Sequence, residues 1–335
     1  MIHTLDEMPQ EAPLVTIGMP VYNGARTLGH ALDSVLAQSL DDFEIVISDN
    51  GSTDETAEII AQYAARDQRV RPYRSTVNLG ARTNYNRVLE LARGRFFKWA
   101  AHDDWITPDY LESCVGELEA NPTAVLCYSA MCRVDAQGDT RRLVIAAEAL
   151  ARSTSARRRI HDALWHVPYH PIFGLFRTSA LRLAGGIPNC PEPDRVTLTR
   201  IASQGPFIQI SDVLFFQRSP EKNTPNRNVW QWLDPSNVSR RPLRILRVSR
   251  EIFYVINSAG LPSYERLWLL GDACVAIAAK TVRGKLRQVQ RRYRLGYGRG
   301  PKIHDSFVLD WEKRSADEAV AKSQGRRESG GKVHR

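Results

Sequence analysis

The first 130 residues alternate short apolar runs with helical spacings, and this alternation restricts the chain to a small group of folds. Leu14 to Met19 is an apolar run stopped by Pro20. Phe43 to Ser48, Val70 to Arg74, Phe96 to Ala100 and Ala124 to Met131 read as four further strands. Between the first two, Arg26 to Gln38 places apolar residues at 28, 31, 32, 35 and 36, the period of an amphipathic helix. Ser52 or Thr53 is placed to cap a second helix running to about Ala65. Asn78-Leu79-Gly80 opens a third, which Gly94 ends, and Pro108 suits the first turn of a fourth. Strands separated by helices are joined by crossovers, which build an α/β fold with a mostly parallel sheet covered on both faces.

Such sheets bind ligands beyond the carboxyl ends of their strands. Polar residues crowd those ends: Tyr22-Asn23 after the first strand, Asp49-Asn50 after the second, His102-Asp103-Asp104 after the fourth. Further along, residues 133–170 read as loops with one or two helices. Ile172 to Arg177 reads as a strand, Thr178 to Leu183 as a short helix, Gly185-Gly186 as a break, Arg195 to Ser203 as a helix and Phe207 to Phe216 as a strand. Beyond Pro242 the chain reads as helical, and from about Ser315 it is polar and expected to be disordered.

Composition removes several function classes. The net charge is +9, but residues 240–335 carry 22 Lys/Arg against 9 Asp/Glu, while residues 1–239 carry 24 against 28. A uniformly basic nucleic-acid binder is disfavoured, and no nucleic acid is expected as a partner. The 5 cysteines show no CxxC or Cys/His spacing, so neither a disulfide framework nor structural zinc is expected. The opening residues lack a secretion signal's apolar core and no run of 18 apolar residues occurs, which points to a cytoplasmic protein.

The turn after the first strand runs from Gly18 to Gly24 and is neither GxGxxG nor a Walker A loop. Without a glycine-rich cradle, bound phosphates need a divalent cation held by carboxylates. Asp103-Asp104 supplies candidates, with a solvated loop or a helix cap as the alternative. Asp49 can accept hydrogen bonds from a base or ribose, or simply close a turn.

Several motifs fall in one order. They are Val15-Thr-Ile-Gly-Met-Pro-Val-Tyr-Asn23, Leu36-Ala-Gln-Ser39, Ile47-Ser-Asp-Asn-Gly-Ser-Thr-Asp54, Asn78-Leu-Gly80, Asn86, Ala92-Arg-Gly94, and Phe97-Lys-Trp-Ala-Ala-His-Asp-Asp104 with Pro108-Asp-Tyr-Leu111. Together they resemble the family 2 glycosyltransferases, closely over residues 13–130 and more loosely to about 218. The resemblance implies a GT-A fold, a Rossmann-like sheet flanked by helices, here with a C-terminal helical extension. It also implies an inverting transfer from a UDP-, GDP- or dTDP-sugar to a hydroxyl acceptor, assisted by Mn²⁺ or Mg²⁺. Pro20, Val21, Tyr22, Asn23 and Asp49 match the donor-binding positions, Arg82 follows on the loop lining the nucleotide pocket, and Arg218 could close over the diphosphate. The family's Asp-x-Asp motif reads Ala101-His102-Asp103. Asp103 matches the metal ligand, Ala101 departs from the pattern, and Asp104 or His102 is placed to compensate. The general base matches Asp194, with Glu192 second, after Gly185-Gly186.

The expected organisation is a tail over 1–12 and a transferase domain over 13–240, with a nucleotide half to 130 and an acceptor half from 131. A basic helical extension over 241–314 and a disordered tail over 315–335 follow. Leu267 to Ala279 is apolar but too short to span a bilayer, and nine cations and no acid lie between Asp272 and Asp305. This suits either the anionic inner face of a plasma membrane, with a lipid-linked or polysaccharide acceptor, or a helix packed on the catalytic domain. A non-catalytic scaffold that binds sugar nucleotides or glycans is the alternative function.

Overall fold

A computed structural model of the chain describes residues 12–134, 140–144, 152–166, 169–190, 192–219 and 244–274. Strands β1 (Val15–Val21) and β2 (Phe43–Asp49) are buried at every position, as continuous apolar runs covered on both faces must be. Helix α1 (Ala25–Leu36) turns Leu28, Ala31, Leu32 and Val35 inward, the stripe its spacing sets. The chain continues through α2 (Thr56–Arg66), β3 (Val70–Arg74), α3 (Ala81–Glu90), β4 (Phe96–Trp99), β5 (Trp105–Ile106) and α4 (Tyr110–Ala120). Then come β6 (Leu126–Val134), β7 (Thr140–Val144), α5 (Ala156–Trp165), a 3₁₀ turn (His170–Phe173), β8 (Leu175–Arg177), α6 (Thr178–Leu183), α7 (Pro193–Gln204) and β9 (Phe207–Arg218). Helix α8 (Arg244–Ser258) and α9 (residues 263–274) follow.

Nine strands form one sheet in the order β3-β2-β1-β4-β8-β6-β9-β5, with β7 beside β6. β1 to β4 run parallel and β6 and β9 pair in parallel, while β8, β5 and β7 are antiparallel to their neighbours. One apolar layer lies under α1 and α4, with Leu28, Leu32, Leu111 and Leu118 against Ile17, Ile45 and Phe96. The opposite layer lies under α3, α6 and α7, with Val88, Leu181 and Leu198 against Val46, Phe97 and Trp99. Helices α5, α8 and α9 share a third, smaller cluster of Ile160, Leu164, Ile252, Ile256, Leu269 and Ala273.

Several local expectations are corrected. β1 runs through Pro20 because the β4 pairing ends at Gly18–Trp99, so the missing N–H is not needed on that side. Neither Ser52 nor Thr53 caps α2; the Asp54 carboxylate accepts from Thr56 N (3.2 Å) and Thr56 Oγ1 (2.5 Å) instead. Pro108 precedes the cap residue Asp109 rather than lying inside α4, and α3 ends at Glu90, before Gly94. The strand expected over 172–177 begins only at Leu175, since Pro171 favours the 3₁₀ turn before it. The irregular 133–170 region contains β7 as well as α5. The basic segment and the expected tail beyond residue 274 lie outside the described residues.

The amino edge of the sheet is locked by Glu44. Its carboxylate accepts from Thr16 Oγ1 (2.8 Å), Arg93 N (3.0 Å), Arg93 Nε and Nη2 (2.9 and 2.7 Å) and Arg71 Nη1 (2.6 Å). Burial acts to raise this carboxyl, but the hydrogen bonds from Arg93, Thr16 and Arg71 prevail and hold it below its ordinary value. Removing it strands two guanidinium groups at the sheet edge. Glu44→Ala should cost about 3 kcal/mol, read as a lower denaturant midpoint. Because the folded-state value is depressed, the wild-type contribution should fade as pH falls through it, and the variant should show less of that acid sensitivity.

Candidate active site

At the carboxyl edge, the loops after β1 and β2 are interlocked through backbone donors. Asn23 N donates to Ser52 Oγ (2.9 Å), Gly24 N to Thr56 Oγ1 (2.9 Å) and Ala25 N to Asp54 Oδ2 (3.1 Å). Asn23 adopts φ 52°, and its Oδ1 accepts from Thr53 N (2.9 Å). This candidate contact residue thus also fastens one loop to the other. Tyr22 beside it is half-buried, while Pro20 and Val21 lie in register with Ser48 and Asp49 across the β1–β2 pair.

Asp49 takes the turn-closing role and leaves its second carboxylate oxygen without a hydrogen bond. Its Oδ1 closes the turn by accepting from Ser52 N (2.9 Å). Its Oδ2 lies 3.2 Å from Arg74 Nε, an ion pair without hydrogen-bond alignment, so this buried oxygen has no hydrogen-bond partner. Ser48 Oγ, Asn84 Oδ1 and Arg82 Nε are buried and unpartnered in the same way. Buried polar atoms rarely go unpaired, and four of them along β2 and the start of α3 make this edge a candidate for a polar ligand.

Helix α3 is tied into this edge by asparagines that the sequence reading did not single out for a role. Asn84 Nδ2 donates to the carbonyls of Ser48 (2.8 Å) and Val21 (3.3 Å). Asn50 accepts from Leu79 N (3.0 Å) and donates to Asn78 Oδ1 (2.9 Å) and Gly80 O (3.2 Å). Gly80 enters α3 at φ 84°, a conformation that favours glycine.

The Asp103-Asp104 segment is welded to the end of β9. Trp105 pairs with Phe216 and stacks on its ring at 5.5 Å. Buried Asp104 accepts from Arg218 N (2.9 Å), and Arg218 Nε donates to Asp103 O (3.3 Å) with its guanidinium over the Trp105 ring. Burial first, then the neighbouring Asp103 charge, pushes the Asp104 carboxyl well above its ordinary value. His102 faces Thr27 Oγ1 (3.1 Å) through Nδ1. The two groups expected to compensate for Ala101 thus have partners within the protein, while Asp103 is half-exposed. Among the described residues, no three His, Cys, Asp or Glu side chains gather as a metal cage.

Asp194 lies in the first turn of α7 rather than before it, because that helix begins at Pro193. It is partly open to solvent yet densely walled by protein, and this burial raises its carboxyl to about 6. No hydrogen bond or ion pair engages it among the described residues. Glu192 differs: it binds Arg195 Nε (3.0 Å) and Tyr169 OH (3.3 Å), and Arg195 also donates to Leu164 O (2.7 Å). The Tyr85 phenol is raised by burial and then by the charges of Asp194, Asp103 and Asp104.

The segment that leads into α7 is fastened to α3 by Asn86. Its Oδ1 accepts from Ile187 N (2.8 Å) and its Nδ2 donates to Ile187 O (3.0 Å). Gly186, at φ 61°, permits this approach, since a Cβ there would lie 2.4 Å from Asn86 Oδ1. The signal for Asn86 was its place in the motif series; its partner 101 residues away is not visible from spacing.

The model for the glycosyl transferase family 2 domain matches residues 16–183, half of the chain. The chondroitin synthase of Escherichia coli is 26% identical over 219 residues, covering 64% of this chain and 30% of that protein. The hyaluronan synthase of Pasteurella multocida is 32% identical over 133 residues, 40% of this chain and 14% of that one. The chain thus spans under a third of the length of these relatives. Among solved structures, residues 1–349 of Staphylococcus aureus TarS in complex with UDP-GlcNAc superpose with a TM-score of 0.61 at 19% identity, covering 78% of this chain and 72% of that one. That likeness supports the fold: a mixed α/β architecture on a mostly parallel sheet flanked by helices. With its motifs, its sheet order and half its length matched by one domain model, the chain belongs to glycosyl transferase family 2.

Proposed function

We propose that the protein is an inverting glycosyltransferase of the hexosyl-transferring kind, moving a sugar from a nucleoside-diphosphate sugar to an acceptor hydroxyl. The observation that carries this reading is an unengaged carboxylate, Asp194, at the start of the helix whose leading segment Asn86 fastens to α3. On this reading the orphaned Asp49 Oδ2, Ser48 Oγ, Asn84 Oδ1 and Arg82 Nε receive the nucleoside, beside Pro20, Val21, Tyr22 and Asn23. Asp194 accepts the proton of the acceptor hydroxyl as that oxygen attacks the anomeric carbon, the nucleoside diphosphate departs, and no covalent enzyme intermediate forms. Tyr85, raised by burial and by the charges of Asp194, Asp103 and Asp104, walls the reacting space. Arg218 closes the side next to Asp103.

One half-exposed carboxylate fits a hard cation that takes its other ligands from a diphosphate and water, not an all-protein cage. Asp103 would hold Mn²⁺ or Mg²⁺ in this way. The cation, when bound, would neutralise the charge of the departing diphosphate. The synthase relatives and the UDP-GlcNAc bound to TarS support a UDP-sugar as the first donor to try, with GDP- and dTDP-sugars beside it. A polysaccharide or lipid-linked glycan is the proposed acceptor, used in the cytoplasm or at the inner face of the plasma membrane.

Calorimetry with a nucleotide panel and Mn²⁺, followed by donor turnover with glycan acceptors, tests the reading. Asp194→Asn should lower kcat by about 10²–10⁴-fold and leave the donor Kd close to wild type. Unchanged turnover would remove Asp194 as base, and binding without turnover of any donor by the wild type would favour the scaffold function. Since the base must be ionised, kcat/KM should rise with pH to a plateau with a midpoint at about 6 and fall on the acid side. Asn86→Ala should lower kcat roughly tenfold and displace that midpoint, because it frees the loop that sets the environment of Asp194. A variant with lower kcat but the wild-type pH profile would make Asn86 merely structural.

A further inference from the structure

Helix α9 is fixed to the molecule by one face and leaves another uncovered. Leu269 and Ala273 pack against Ile160 and Leu164 of α5 and Ile252 and Ile256 of α8. On the other side Tyr264, Leu267, Trp268, Gly271 and Cys274 are all exposed, at helical offsets of 0, 3, 4, 7 and 10. The stripe holds no charged residue, and its large side chains are 72% (Tyr264), 69% (Leu267) and 48% (Trp268) exposed. Trp268 is held in place rather than loose: the Arg157 guanidinium lies 4.8 Å from its ring and His161 stands 5.5 Å away. The acids flanking the stripe are both paired within the protein, Glu265 with Arg157 (3.8 Å) and Asp272 with His161 (3.6 Å).

We infer that this stripe docks on an anionic lipid surface, seating the transferase on the membrane by an interfacial helix. Tyrosine and tryptophan favour the boundary between headgroups and acyl chains, and leucine supplies buried apolar area. Charge decides between a bilayer and a second copy of the chain. Directly after Asp272 the sequence places Lys280, Arg283, Lys285, Arg287, Arg291, Arg292, Arg294, Arg299 and Lys302 with no acidic residue before Asp305. A second copy of the chain would add a second set of these cations with no acid to neutralise them, whereas an anionic leaflet neutralises them, at about 1 kcal/mol per cation near the surface. No helix among the described residues is long and apolar enough to cross a membrane, so the contact is one of lying on the surface.

This inference rests on the proposed inner-membrane location and names the surface that would achieve it. The full chain is sedimented with vesicles of phosphatidylcholine alone and with about one third phosphatidylglycerol. Retention on the anionic vesicles, weak retention on the neutral ones and release at high salt are expected. The exposed-site double variant Leu267→Ser/Trp268→Ser should lower the vesicle affinity roughly tenfold or more, the loss expected from withholding large apolar side chains from the interface. Tyr264→Ser, which disturbs no stacking partner named above, should weaken binding in the same direction. A wild-type chain left in the supernatant, or variants that bind as well as wild type, would overturn the inference. So would a double variant that converts a dimer to a monomer by light scattering. Binding is read without donor or acceptor, and Asp194→Asn should bind vesicles like wild type, so failure here is distinguishable from failure of the transferase reading.

Discussion

The first two turns of α3 hold the carboxyl ends of β1 and β2 and the segment before α7 in one frame. Asn84 reaches the carbonyls that end β1 and β2, and Asn86, two residues on, reaches Ile187. Side chains two apart on a helix project about 200° from one another, so a single helix grips both sides. Each of these hydrogen bonds contributes only about 1 kcal/mol net. Their consequence is geometric: any sliding of α3 would move the ends of β1 and β2 and the segment before α7 together. On the proposed reading the acceptor oxygen and the donor's anomeric carbon must be held in one productive geometry, and tying both sides to one rigid element meets that demand better than two independent loops.

The acidic residues are sorted by burial rather than by sequence position. Asp104 is buried on the Arg218 amide, its carboxyl raised; Asp103, next in the chain, stays half-exposed. Below them Lys98 is fully buried, donates to the Phe173 carbonyl and lies 4.5 Å from the Tyr110 ring centroid, with its ammonium lowered to about 8 by burial. A buried ammonium is costly unless compensated, and the carbonyl, the aromatic faces and the field of Asp104 compensate it. The same contact stitches β4, which leads into the acidic loop, to the 3₁₀ turn of the opposite half.

Local patterning made the first half of the fold legible. The stripe of Leu28, Leu32 and Val35 and the apolar runs of β1 and β2 bury the residues their periods indicate. The motif series carried the expectation that Asp49, Asp103 and Asp194 share one rim. What spacing could not show were contacts that depend on tertiary closure: β5 is two residues long and exists because β9 offers it an edge. The split between Asp194 and Glu192 was equally invisible, since it turns on Arg195 and Tyr169 capturing one carboxylate and not the other.

Ala101 is the chain's departure from the family pattern, and its surroundings give it a physical sense. It lines a small recess with Lys98, Asp104 and Trp105, beside carboxyls that already repel one another. An aspartate there would add a carboxyl to a wall where burial and the neighbouring Asp103 charge already keep Asp104 from ionising readily. On the proposed reading the donor's own diphosphate supplies the missing oxygens, so one carboxylate suffices and cation affinity becomes conditional on donor binding.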